Sequence, residues 1–178
     1  MRAPTDPLMV LLLPERLEAF EQRMLAEDLL QATGVVAVDP PRTSYRALAR
    51  IPDAIGVSIA AKQARRLRKR LPGVPRAIAI FHPGQYPLAR GLLAQVPDCE
   101  LWYGRVSRPE AEAGDGPVRQ RLQELHVMAA ERAALTFVTS DGLGREEALA
   151  GRRAVTVEPG GDHAPLWDRL ARVLGVTG

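Results

Sequence analysis

A histidine closes the short apolar run in "AIAIFHPGQYP", residues 77–87, and Gly84, Gln85 and Tyr86 follow it. An imidazole at the end of a strand can serve as a general base or can bind a hydroxyl-rich ligand. Gly84 permits an open turn there, and Gln85 and Tyr86 add hydrogen-bonding reach. The plainer reading is that His82 satisfies backbone groups of its own loop while Tyr86 packs on a neighbouring helix. Residue types alone leave both readings standing. Ser140 and Asp141, ahead of Glu146 and Glu147, are explained by helix-start chemistry. Cys99 is the single cysteine, so no disulfide within the chain and no CxxC metal pattern can form. It reads as buried filler rather than as a nucleophile.

Other chemistry is missing from the sequence. No GxGxxG, Walker A or GxSxG pattern occurs. A dinucleotide or triphosphate held in the usual way needs glycines for close backbone approach to phosphate. A nucleophile elbow needs its flanking glycines. Asp115 and the glutamates of the loop 106–117 read as solvated charges, and no role is assigned to His126. No metal site is expected.

The elements that position these residues follow from apolar runs alternating with helical spacing. Strands are expected at 8–13, 35–39, 77–81, 99–103, 135–140 and 153–159. Helices are expected at 15–32, with Gly34 at the stop, and at 54–71, 87–95, 118–133, from Ser140 onward, and at 165–174. Ser44 is placed to cap a short helix before Pro52. In the helix 54–71 the expected buried face is Ile55, Ile59, Leu67 and Leu71; in 118–133 it is Leu122, Leu125 and Ala129. Of Trp102 and Tyr103, at least one should reach the core. Short strands that are apolar throughout imply burial on both faces, and alternation with helices implies parallel pairing through right-handed crossovers. The expectation is an α/β fold: one doubly wound, mostly parallel, six-stranded, Rossmann-like sheet flanked by helices. It forms a single domain over residues 1–178. Ligands of such folds sit beyond the carboxyl ends of the strands, at a switch point in strand order.

Composition bounds the setting. The chain has 178 residues, with 46% hydrophobic and 25% charged residues, which is that of a soluble globular protein. "PLMVLLLP" is too short to span a bilayer and lacks the flanks of a secretory signal, so a cytoplasmic location is expected, with peripheral membrane contact as a further option. Net charge is +3, and Lys62 and Lys69 are the only lysines. "KQARRLRKR", residues 62–70, concentrates six cations in nine residues. On a helix Lys62, Arg65, Arg66 and Lys69 point away from the apolar stripe. The simplest reading is a solvated face; attraction to an anionic membrane comes next. Nucleic acid comes last, because few aromatics are present to stack on bases.

Residues 77–167 resemble the second half of the N-terminal domain of GT-B glycosyltransferases in the broad family-4-like group. "AIAIFHPGQYPLA" is similar to the strand and loop where these enzymes often place a histidine on the acceptor side of the cleft. "ERAALTFVTSDGL" resembles their helix, strand and "tS..L" pattern. "VTVEPGGDHAPLW" is similar to their interdomain passage, with Pro159 or Gly160 where that family commonly has Asn. The glycine-rich loop that many members carry after the first strand is absent here. The resemblance implies a carbohydrate transferase half with His82 as the acceptor-side catalytic residue. It also implies Gln85 and Tyr86 orienting that histidine at the substrate, and Asp162 and His163 at the cleft hinge, also against substrate. Residues 159–178 then form the interdomain-type passage and terminal helix. The donor, a nucleotide sugar, would need a second domain, so the chain alone is expected to bind no cofactor and to be inactive. Its partner would be a separate donor-binding domain or another copy of itself. The alternative is a non-catalytic interaction or dimerisation module with the same half fold.

Overall fold

In the computed structural model, residues 6–13, 20–39, 51, 53–108, 116–158 and 163–175 are described, 20–23 and 165 by backbone alone. Six strands form one sheet: β1 (Pro7–Leu12), β2 (Val35–Val38), β3 (Val74–Ile80), β4 (Glu100–Arg105), β5 (Leu135–Val138) and β6 (Val155–Thr156). Every pairing is parallel, in the order β2-β1-β3-β4-β5-β6. The helices are α1 (Phe20–Leu30), α2 (Asp53–Arg68), α3 (Tyr86–Leu93), α4 (Pro117–Arg132), α5 (Asp141–Leu149) and α6 (Ala164–Leu174). This is the α/β, Rossmann-like arrangement that the alternation of runs predicts. The predicted short helix before Pro52 lies outside the described residues.

Alternation along each strand sorts side chains onto two cores. Leu8, Val10, Leu12, Ile78, Ile80, Leu101 and Tyr103 pack with Ala64 of α2, Leu88 and Leu92 of α3, and Leu125 and Ala129 of α4. Met9, Leu11, Ala77, Ala79, Trp102 and Phe137 pack with Leu25 and Leu29 of α1 and Leu166, Leu170 and Leu174 of α6. Trp102 and Tyr103 point to opposite faces and both are buried, because helices cover both sides.

Several boundaries shift. β4 runs two residues past Tyr103 to Arg105, and β6 keeps only Val155 and Thr156. In α2, Ile55 is 54% exposed and the buried positions are Ala60 and Ala64. The reason is close packing on α3: a Cβ at Gly91 would meet the Cβ of Ala64 at 2.9 Å. Small residues let the two helix backbones approach, and the larger Ile55 is left on the outside.

Strand order fixes where a ligand can reach the sheet. From β1 the chain moves to β2 on one side, then crosses back to β3 on the other. The direction reverses between β1 and β3, so their carboxyl ends flank the switch-point crevice.

Candidate functional site

The chain leaves β3 at that crevice directly into His82. Pro83–Gln85 form one 3-10 turn with His82 as its N-cap. Pro83 suits this place, since its ring presets φ at a first helical position and no N–H is lost to the turn. His82 Nδ1 accepts a hydrogen bond from the Gly84 N–H at 2.9 Å. With Nδ1 as acceptor, the neutral ring carries its proton on Nε2. The half-buried His82 is thereby held as a hydrogen-bond donor through Nε2. That chemistry suits binding an oxygen; proton abstraction would require the other tautomer.

Gln85 sits underneath, fully buried. Its Oε1 accepts from the N–H groups of Phe81 at 2.7 Å and His82 at 3.0 Å. Its Nε2 donates to the Leu12 carbonyl at 2.7 Å. The side chain therefore ties the carboxyl end of β1 to the carboxyl end of β3, across the switch point. It fixes the backbone of His82 and, being buried, presents no surface to a ligand. Tyr86 is also buried, within the core of the α2–α4 face.

Beside this turn lies a cavity of about 200 Å³ between α2, α3 and α4. Gly84, Tyr86 and Pro87 form one wall, and Val57, Ala61, Leu125 and Met128 line it with apolar surface. Arg121 and Asp53 stand at its polar end, paired at 2.6 Å. Arg90 also lines it and is exposed.

His163 is placed elsewhere. It is buried at the start of α6, and its Nε2 lies 2.8 Å from Asp28 Oδ2 of α1. Both helices belong to the opposite face of the sheet from α2, α3 and α4. The histidine therefore joins α1 to α6 rather than facing the His82 turn. Asp162 lies outside the described residues. Of the five candidate residues, His82, Gln85 and Tyr86 share one turn, and His163 does not join them.

A second polar assembly was not foreseen from sequence. Arg105, at the end of β4, reaches Glu147 of α5 at 2.8 Å and Glu146 at 2.8 Å. Arg152 Nε lies 2.5 Å from Glu147 Oε2. His126 of α4 places Nε2 3.5 Å from Glu147 Oε1, while its Nδ1 lies 3.0 Å from the Tyr103 hydroxyl. Arg108 also pairs with Glu146. Burial pushes the Glu147 carboxyl up, but Arg152, His126 and Arg105 outweigh it and hold the group below the usual carboxylate range. Glu146 is lowered too, first by its hydrogen bond from Arg108. Sequence placed these two glutamates at a helix start, whereas Glu147 stands in the last turn of α5. The readable signal was Arg105, a charge at the end of the run Leu101–Gly104 in β4.

The Cys99 thiol is buried, and burial together with Glu100 pushes it up to about 12. It is inert packing. Among the described residues, no three His, Cys, Asp or Glu side chains gather as a metal-ligand set. No protein-family model, curated protein or solved structure matches the chain.

Proposed function

We propose that this chain is the acceptor-side domain of a GT-B-type glycosyltransferase, and that it transfers no sugar without a donor-binding domain. The observation that carries the reading is the position of His82. It ends β3 at the β1/β3 switch point, with its tautomer set by the Gly84 N–H. An imidazole held there can donate to the oxygen of an acceptor hydroxyl and help to fix that oxygen in place. Gln85 keeps the turn rigid from below.

Nuclear magnetic resonance titration tests the reading. Simple glycosides should shift the imidazole signals of His82 and the amides of residues 81–86, and His82→Ala should remove those shifts. Nucleotide sugars should bind the chain only weakly. Sub-millimolar affinity for a nucleotide sugar, or glycoside shifts that map away from this turn, would overturn it.

A further inference from the structure

One face of α3 walls the cavity beside the His82 turn. Tyr86, Pro87, Arg90 and Gly91 of that helix line it, and the spacing of four between Tyr86 and Arg90 sets their side chains on one side of the helix. Tyr86 is only 6% exposed, yet among the described residues its hydroxyl has no hydrogen-bond partner. A phenol O–H is a strong donor and acceptor, and a buried one without a protein partner calls for an explanation. The oxygen is not sealed off: it keeps contact with accessible space, and the space that Tyr86 borders is the cavity. Arg90 is exposed at the rim and, among the described residues, forms no ion pair.

The facing walls are apolar, from Val57 and Ala61 of α2 and Leu125 and Met128 of α4. An apolar cavity of about 150 Å³ holds one benzene ring. The hollow here, at about 200 Å³, suits a body of that size with a short polar stem. Charge selects the polar group. Arg121 and Asp53, at the polar end, are paired at 2.6 Å, which leaves the charge of Arg90 over. The two groups left without partners, the Tyr86 hydroxyl and the Arg90 guanidinium, both donate hydrogen bonds. A carboxylate accepts from both. An amine would meet Arg90 as a like charge, and a plain hydrocarbon would leave the hydroxyl buried and unpaired.

We infer that this cavity binds a small amphipathic monocarboxylate. Its single ring or short acyl chain fills the hollow, and its carboxylate accepts from the Tyr86 hydroxyl and the Arg90 guanidinium. The site does not rest on the sugar-transfer reading: it uses no atom of His82 and is tested without any activity.

Amide resonance titration with sodium phenylacetate decides it. The amides of Val57, Gly84, Gly91 and Leu125 should shift and saturate, and uncharged phenylacetamide should bind about tenfold more weakly, since it loses the charge-assisted bonds. Tyr86→Phe removes only the unpartnered hydroxyl, so the thermal melt should stay as it is. Phenylacetate should bind that variant about tenfold more weakly, the worth of a hydrogen bond to a charged acceptor. Arg90→Gln should weaken phenylacetate by a smaller factor, because the guanidinium is exposed to solvent, and should leave phenylacetamide unaffected. Val57→Phe, at a position 42% exposed, fills the hollow and should abolish binding of both. Should the melt show Tyr86→Phe to be unfolded, Arg90→Gln and the comparison of acid with amide still decide. Three results would overturn the proposal: no saturable shift at the cavity, equal affinity for acid and amide, or full phenylacetate binding by a folded Tyr86→Phe.

Discussion

Arg105 Nη1 lies 2.8 Å from Glu147 Oε1, and the two side chains are 6% and 0% exposed. The pair joins the end of β4 to the last turn of α5, 42 positions further along the chain. Removing one member of a buried pair strands the other charge out of water, at a cost of about 3–5 kcal/mol, while replacing both by apolar groups is often neutral. Glu147→Leu alone should therefore destabilise strongly in urea unfolding, and Arg105→Met combined with it should recover part of the loss. Additive costs in the double variant would show that the two charges do not act as a pair.

The same carboxylate gives the fold an acid limit. Glu147 is held below the usual range when folded, against about 4.3 in an unfolded chain. Its contribution to stability is complete above that unfolded value and is lost as pH falls through the lower folded value. Melting temperature should therefore fall on the acid side, and Glu147→Gln should flatten that part of the profile. An unchanged slope in the variant would assign the acid transition to other groups.

Gln85 makes three hydrogen bonds to backbone groups of β1 and of the turn after β3. Gln85→Leu leaves those groups buried without it, and each such group costs about 1–3 kcal/mol. The amides of Phe81 and His82 should then exchange with solvent much faster, while amides of the β4–β5 pairing keep their protection. Uniform acceleration across the sheet would mean that the variant unfolds globally and that the tie is not local.

A thiol raised to about 12 is protonated at any working pH. Cys99 should resist a thiol-specific reagent in the native protein, at neutral and at mildly alkaline pH. It should react at once in denaturant. Rapid labelling of the folded chain would place the sulfur nearer to solvent than its burial allows.

Gly104 faces two rings. A Cβ there would sit 2.5 Å from Phe137 and 2.9 Å from Phe81, whose own rings meet edge to face at 5.9 Å. Gly104→Val should cost about 1–3 kcal/mol or more through overpacking. Adding Phe137→Leu should relieve part of it, and thermal melts of the two variants measure the difference.

The sheet was legible because its strands are apolar throughout and its helices keep their spacing. Ala77, Ile78, Ala79 and Ile80 can only be a doubly covered strand. Strand order was not legible, because crossovers depend on which helix faces which side. The His82 turn was found from residue type, but the role of Gln85 was not. A glutamine that bonds to a backbone carbonyl 73 positions away looks in sequence like one that meets a ligand. Glu147 was hidden for a similar reason: its partners Arg105, His126 and Arg152 are scattered along the chain. The outward turn of Ile55 depends on Gly91, on another helix, admitting Ala64 so closely.

The place of β1 between β2 and β3 sets a schedule for synthesis. Its second edge pairs with Val74 through Ala79, so a nascent chain that has exposed only the first two strands holds Met9 and Leu11 in an unfinished sheet. The Leu12 carbonyl likewise waits for Gln85. On the ribosome the centre of the sheet closes only once residue 85 has emerged, and until then β1 offers a bare apolar edge to chaperones or to other nascent chains.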